Sequence, residues 1–292
     1  MPSGQVLHKV QVWVTGRDSR GNRRVLLLRT LSKRGSFWQP VTGGVEPGEE
    51  ISVGALRELT EETGLNPQAL FPLGYEFEFE SQRAGSLHTF HETCFGAEIP
   101  TDKVGASIQM DPKEHDAFEW ISPKEALTRV KFESNRGALE VLLNRAADFE
   151  LQDENGNLFR LSSEAKKQPI LLTFYPGDFT PVCTKQLCSY RDDPQSFQRL
   201  GVRVVGVSPD SVSQHVEFRK KFNFPFTLLS DPEKKVFHEY GMVSKLLFGM
   251  TGRGVALVDT NMQMPYKSVE WTPLTYRGAG TLVSEIEKAL KR

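Results

Sequence analysis

Only three cysteines, Cys94, Cys183 and Cys188, occur in 292 residues. An odd number without a framework spacing excludes a small secreted fold stapled by disulfides. Long apolar runs are lacking as well, and none approaches the roughly 20 residues of a membrane-spanning helix. The N-terminal stretch "MPSGQVLHKV" has neither the apolar core nor the cleavage pattern of a secretion signal. No sign of charge dominates: 36 Lys and Arg face 37 Asp and Glu. Residues 1–145 carry 17 basic against 20 acidic side chains, and residues 146–292 carry 19 against 17. Neither half therefore offers the basic field with which proteins grip nucleic-acid polymers. Repeats, low-complexity tracts and a Gly/Ser- or Pro-rich linker are absent too. The expectation is a cytoplasmic globular protein with two cores and no nucleic-acid polymer or membrane among its partners.

The two halves differ in pattern. In the first, "HKVQVWVTGR" alternates as a strand, and "RRVLLLRT" is a second strand reached through the turn "DSRGN". "GSFWQPVTGG" reads as a loop, "LFPLGYEFEFESQ" and "LHTFHETCFGAEI" as a half-buried strand pair, and "DAFEWIS" as a short strand. "PKEALTRV" and "ESNRGALEVLLNR" read as helices. The second half opens on a hairpin at Asn155-Gly156 and then shows continuous apolar runs, "PILLTFYP", "VRVVGVSP" and "GVALVDT", separated by helical stretches. That alternation predicts a mostly parallel, helix-covered sheet. The boundary falls near 145–148, giving domains 1–145 and 146–292.

Six glutamates crowd the stretch "GGVEPGEEISVGALRELTEETGL". Pro47-Gly48 makes a turn, 52–63 reads as a helix, and Gly64 suits the left-handed position that ends it. On a helical wheel Val53, Ala55, Leu56 and Leu59 are expected to anchor the helix, with Arg57, Glu58, Glu61 and Glu62 opposite. Glu58, Glu61 and Glu62 stand at i, i+3 and i+4, so like charges converge and repel. A hard divalent cation resolves that repulsion, because Mg²⁺ takes oxygen ligands and is often shared with substrate phosphates.

The order Gly43, five residues, Glu49, seven residues, Arg57-Glu58-Leu59-Thr60-Glu61-Glu62-Thr63-Gly64-Leu65 resembles the Nudix box at every position that motif specifies. The resemblance spans roughly residues 5–145 and implies an α/β/α sandwich with a mixed sheet that hydrolyses nucleoside diphosphate derivatives. It implies Mg²⁺, or Mn²⁺, on Glu58, Glu61, Glu62 and the Gly43 carbonyl. Arg57 would orient the glutamates and Glu49 would support the loop. "FWQPVTGGVEPGE", "EHDAFEWI" and "SNRGALEVL" are similar to the dihydroneopterin triphosphate pyrophosphohydrolase branch. That similarity implies a nucleoside or pterin triphosphate substrate, Glu114 as a further ligand or base, and Trp38, Gln39, Asn135 and Arg136 near the substrate. Hydrolysis of oxidised nucleotides is the alternative.

The second half contains "FYPGDFTPVCTKQLCSYRD". Thr180 suits a helix cap and Pro181 the first helical position. Cys183 then lies in the first turn, where free N–H groups and the helix dipole favour a thiolate. Pro176, three residues, Thr180, two residues, Cys183 resembles the peroxiredoxin signature over about 147–292, and the closest branch is similar to peroxiredoxin Q. The resemblance implies a thioredoxin-like fold, a bound cofactor being unnecessary. It implies attack of Cys183 on a peroxide, with Thr180, Pro176 and Arg253 around it. Cys188 would resolve the product to a disulfide that thioredoxin or a similar dithiol reduces. Homo-oligomers are compatible with it. Gln186, Leu187 and Gly254 depart from the residues common in that branch. On a helix, positions i and i+5 are about 7.5 Å of rise and about 140° apart, beyond the roughly 7 Å Cα limit of a disulfide. The first turns are therefore expected to unwind in each cycle. A redox sensor or scaffold acting on the first half is the alternative. Cys94 is expected to be structural, His88 and His91 to lie on a strand face, and His115 to sit at the surface or in the core, with a pocket position as the alternative.

Overall fold

The structure, a computed structural model, describes residues 6–83, 85–243, 251–270 and 275–291. It divides into two compact units, Met1–Leu143 and Asn144–Arg292. Among the described residues no helix is long and apolar enough to cross a membrane.

The first unit contains β1 (Leu7–Arg17), β2 (Arg23–Thr30), β3 (Trp38–Gln39), β4 (Val41–Gly44), α1 (Ile51–Thr63), β5 (Ala69–Arg83), β6 (Ser86–Glu98), β7 (His115–Ile121), α2 (Pro123–Arg129) and α3 (Glu133–Leu143). The strands form one mixed sheet in the order β3-β2-β1-β6-β5, with β4 on β1 and β7 on β2. β1 runs parallel to β6 and antiparallel to β2 and β4. Its alternation divides the core. Val10, Val12 and Val14 pack with Ala55 and Leu59 of α1, whereas Trp13 packs with Ala138, Leu139 and Leu142 of α3. The result is the expected helix–sheet–helix sandwich.

The stretch read as a loop, "GSFWQPVTGG", contains β3 and β4. Pro40 breaks the ladder between them, because proline has no N–H to donate. The anchoring face of α1 also differs from the expectation. Val53 is 52% exposed and Leu56 41%, whereas Ala55 and Leu59 are fully buried and Glu62 is 4% exposed. At 100° per residue Glu62 falls about 20° from Ala55, and Val53 about 160° from it. The inward stripe thus runs through Ala55, Leu59 and Glu62, and a carboxylate belongs to the anchoring face.

The second unit contains β8 (Glu150–Asp153), β9 (Leu158–Arg160), α4 (Leu161–Ala165), β10 (Ile170–Phe174), α5 (Pro181–Asp192), α6 (Pro194–Arg199), β11 (Arg203–Ser208), α7 (Val212–Phe222), β12 (Thr227–Ser230), α8 (Lys235–Glu239), β13 (Arg253–Val258), β14 (Tyr266–Glu270) and α9 (Ala279–Leu290). The sheet order is β14-β13-β10-β11-β12-β8-β9. Only β10, β11 and β12 are mutually parallel; β13 is antiparallel to β10 and β14. The sheet is mixed rather than mostly parallel. A continuous apolar run reports burial on both faces and leaves strand direction open. Leu171, Val204 and Leu257 face one core with Cys183, Leu187 and Leu282. Ile170, Leu172, Val205 and Ala256 face the other with Phe237 and Tyr240.

The two faces of α1 respond differently to truncation. Leu59→Ala should destabilise the first unit by about 2–5 kcal/mol through transfer and cavity terms, and Val53→Ala by no more than about 0.5 kcal/mol. Denaturation followed by the fluorescence of buried Trp13 distinguishes them; equal losses would return Val53 to the anchoring face.

Candidate functional sites

In the first unit Arg57 organises the acidic stretch. Its Nε and Nη2 donate to the two carboxylate oxygens of Glu49, each at 2.9 Å. Nη1 donates to Glu58 at 2.9 Å and to Glu61 at 3.3 Å, and Nη2 reaches the Gly44 carbonyl at 2.8 Å. The forked hydrogen bond from Arg57, with the Glu46 N–H, holds the Glu49 carboxyl down at about 2. Glu49 thereby fastens the loop before α1, and Gly64 (φ 67°) closes the helix by donating to the Thr60 carbonyl at 2.8 Å.

Gly43 leaves room for Glu58. A Cβ there would lie 1.8 Å from the carboxyl carbon of Glu58, so a larger residue would push that carboxylate away from the β4 backbone. Glu62 turns the other way. Burial pushes its carboxyl up, and a 3.0 Å hydrogen bond to His115 Nε2 opposes the shift. His115 is 1% exposed and begins β7. Its neighbour Glu114 accepts from Arg34 at 2.7 Å. One ligand atom each from Glu62, Glu114 and His115 lies within 4.8 Å of the others, a grouping that could hold a metal ion. The candidate ligands thus form two groups. Glu58 and Glu61 share Arg57, and Glu62 and Glu114 gather at His115. A hard oxygen-rich donor set, with a glycine that admits one carboxylate to the β4 backbone, fits a divalent cation such as Mg²⁺. Sequence offers His115 as a surface, core or pocket residue without tying it to Glu62; its position directly after Glu114 is the available signal.

The remaining candidates divide. Gln39 is 8% exposed and donates to Thr42 Oγ1 at 3.1 Å. Trp38 is half-buried, with the Arg129 guanidinium 4.4 Å from its ring centroid. Asn135 points inward and accepts from Gln11 Nε2 at 2.9 Å. Arg136 is directed elsewhere, donating to the Leu127 carbonyl at 3.1 Å and pairing with Glu133. Cys94 is fully buried, and burial raises its thiol well above the ordinary range. His91 lies on the outer strand face against Glu76 and Glu78.

In the second unit β10 delivers the chain to the loop 175–180, and α5 begins at Pro181. Cys183 is 1% exposed, and Arg253 Nη2 donates to its Sγ at 3.2 Å. Arg253 opens β13, which lies beside β10, so adjacent strands position cysteine and arginine together. Arg253 Nη1 also donates to the Gln186 side-chain oxygen. Gln186 Nε2 continues to Tyr190 Oη at 3.0 Å, and that hydroxyl donates to the Arg277 carbonyl at 2.9 Å. The amide that departs from the usual residue is therefore fully engaged. Cys188 is half-buried one turn further on and, like Cys183, is a free thiol.

Thr180 occupies the N-cap position, but its side chain makes no capping hydrogen bond. Its hydroxyl donates back to the Gly177 carbonyl at 3.1 Å, closing the loop instead. Pro176 sits half-buried at the loop entrance. Asp178, which sequence reasoning missed, ties the loop down. Its N–H donates to Asp210 at 2.7 Å, and its carboxylate accepts from Tyr175 Oη and pairs with His215 Nδ1, each at 2.8 Å. Phe179 adopts φ 58° and packs 4.9 Å from the Phe218 ring. A non-glycine residue in that conformation is costly unless its surroundings fix it.

Each half of the chain matches a known family. The NUDIX domain model matches residues 7–142, and the AhpC/TSA family model residues 142–267. Chloroplastic peroxiredoxin Q of Arabidopsis thaliana is 37% identical over 166 residues, covering 56% of this chain and 73% of the relative. That of Oryza sativa subsp. japonica is 41% identical over 121 residues, covering 41% of this chain and 55% of the relative. The chain spans little more than half the length of most of these relatives. A solved structure described as a NUDIX hydrolase from Listeria monocytogenes shares 25% identity, covers 46% of this chain and 90% of its own, and gives a TM-score of 0.40. Both are families of enzymes. Through its second unit the chain belongs to the peroxiredoxin family, and a NUDIX domain precedes that unit in the same polypeptide.

Proposed function

We propose that the chain is a bifunctional enzyme of the cytoplasm. One unit is a divalent-metal-dependent pyrophosphohydrolase of nucleoside or pterin triphosphates, with dihydroneopterin triphosphate as first candidate; the other is a thiol peroxidase. The Arg253 guanidinium on Cys183 Sγ at 3.2 Å carries the second reading, and the Arg57 fork among Glu49, Glu58 and Glu61 carries the first.

In the hydrolase unit Glu58, Glu61 and Glu62 with the Gly43 carbonyl would hold Mg²⁺, with Mn²⁺ as a substitute. When bound, the ion supplies charge neutralisation at the phosphoryl oxygens and a more acidic water. Arg57 fixes the directions of Glu58 and Glu61 by forked donation, so the carboxylates are organised before substrate arrives. His115 fixes Glu62. Glu114, half-exposed on Arg34, would accept the proton of the attacking water or add a further ligand.

In the peroxidase unit the Cys183 thiolate attacks one peroxide oxygen. The S–O bond forms as the O–O bond breaks, and the departing oxygen takes a proton to leave as water or an alcohol. Cys183 is then a sulfenic acid. Arg253 stabilises the negative sulfur and the charge that builds on the departing oxygen. The Thr180 hydroxyl and Pro176 line the approach. Cys188 attacks the sulfenic sulfur, water leaves, and a disulfide results, which two electrons from a dithiol such as thioredoxin return to thiols. Both cysteines lie on the uninterrupted α5, so this step requires its first turns to unwind.

Four outcomes test these readings. A panel of triphosphates with Mg²⁺ should show dihydroneopterin triphosphate turned over fastest. Glu62→Gln should lower that rate by about 10² or more with the fold retained. Rapid turnover of an oxidised purine beside a slow pterin rate would reassign the substrate. Peroxide consumption should disappear in Cys183→Ser, and a rate equal to wild type would refute the peroxidase. Hydrogen exchange of 183–188 should be faster in the disulfide form than in the reduced form; equal protection would remove the unwinding step.

A further inference from the structure

Between the two cysteines of α5 lies a buried amide that neither step of the peroxidase reading uses. Gln186 is 1% exposed. It follows Cys183 by one helical turn, so the two side chains stand on the same face of α5. Tyr190, buried as well, follows one turn further on that face. Arg253 reaches two of the three. Its Nη2 donates to Cys183 Sγ at 3.2 Å, and its Nη1 donates to Gln186 Oε1. One rigid fork therefore grips successive turns of one helix. The partners also fix which way the amide faces. A guanidinium can only donate. Burial pushes the Tyr190 hydroxyl up and keeps it protonated; it donates to the Arg277 carbonyl at 2.9 Å and accepts from Gln186 Nε2 at 3.0 Å. Gln186 thus bridges the start of β13 to the chain just before α9.

The bridge bears on the part of α5 that has to move. The Thr180 side chain makes no capping hydrogen bond, a contact that commonly holds a first turn in place. Joining Cys183 to Cys188 requires the first turns to unwind, and Gln186 lies inside the loop that the disulfide would close. It cannot keep Arg253 and Tyr190 through that movement. Oxidation affects the two arms of the fork differently. The Cys183 thiolate is a charged acceptor for Nη2, and the sulfenic sulfur no longer carries that charge. The Gln186 arm is chemically unchanged, so after oxidation it becomes the firmer of the two.

We propose that Gln186 is a positioning residue that sets the fate of oxidised Cys183. Its neutral bridge from Arg253 to Tyr190 aims the guanidinium at the sulfur, yet lets go when Cys188 attacks. The proposal rests on the peroxidase reading of the same unit. Two routes lead away from the sulfenic acid. In one, Cys188 displaces the sulfenic oxygen as water and the disulfide forms. In the other, the sulfenic sulfur attacks a second peroxide. A further S–O bond forms as the O–O bond breaks, the departing oxygen leaves as water or an alcohol, and a sulfinic acid remains. Only the first route needs α5 to unwind. A carboxylate at 186 would accept from Arg253 through a charge-assisted bond and from Tyr190 through its other oxygen, holding the turns harder. It would also oppose the positive charge that Arg253 presents to Cys183. A methionine of similar length would make neither bond.

The test compares the full chain with its Gln186→Glu and Gln186→Met variants. In the reduced proteins, without peroxide, hydrogen exchange over 183–188 should be slowest in Gln186→Glu and fastest in Gln186→Met. After a pulse of peroxide, quenched and read by mass spectrometry, Gln186→Glu should close the Cys183–Cys188 disulfide about tenfold more slowly than wild type, the interval between a neutral and a charge-assisted hydrogen bond. Under excess peroxide it should accumulate sulfinic acid. Gln186→Met should oxidise at Cys183 more slowly than wild type, and then close the disulfide faster. A side chain that merely fills space would not send the second step in opposite directions. If Gln186→Glu does not fold, slower oxidation with faster closure in Gln186→Met decides the matter. Equal exchange in all three proteins, or an unchanged division between disulfide and sulfinic acid, would overturn the proposal. The expected order of exchange in a chain that consumes no peroxide would uphold the bridge while refuting the peroxidase, and an active peroxidase whose division never moves would do the reverse.

Discussion

Each half of this chain concentrates groups that resist being brought together, and in each a guanidinium makes the concentration tolerable. Around Arg57 three carboxylates and a backbone carbonyl converge on one side chain. Without it, like charges on successive turns would oppose the helix that carries them. At Arg253 a cation almost wholly removed from water meets a sulfur and an amide. A flexible ammonium could not serve in either place, because several fixed directions must be satisfied at once by one rigid, permanently charged fork.

The supports of these arginines differ, and the difference follows from fold. Arg57 lies on a helix whose loop, strand and C-terminal cap are contiguous in sequence, so its acceptors are local. Arg253 lies on a strand about seventy residues from Cys183, and only the pairing of β13 with β10 brings them together. The loop before α5 needs its own anchor, supplied by the buried Asp178–His215 pair and by the packing of Phe179 on Phe218.

Legibility from sequence followed the same division. Motifs set by local spacing were readable: the box, its turn and its cap, and the cysteine in the first turn of a helix. Features created by tertiary contact were not. The wheel for α1 was correct in angle but assigned its inner face by hydrophobicity, so Val53 and Leu56 were placed inward and Glu62 outward. His115 supplies the partner that makes a buried Glu62 possible, and it comes from a distant strand. Thr180 stands at the cap position, yet the shape of the preceding loop turns its hydroxyl to Gly177. β3 and β4 read as loop because two- and four-residue strands carry too little alternation to register. The antiparallel run of β13 was illegible for a related reason, since a strand buried on both faces has the same pattern in either direction.

The single residue between β3 and β4 has a bearing on which changes of chain length this domain can accept. β3 is registered against β2 through Gln39 and Leu28, and β4 against β1 through Val41 and Val12, with Pro40 alone between them. One inserted residue would reverse the inward and outward parity of everything that follows. Thr42 would then stand where Gly43 makes room for the Glu58 carboxylate and would displace it. The segment from Pro40 to Gly44 therefore behaves as a ruler of fixed length between the sheet and the acidic helix.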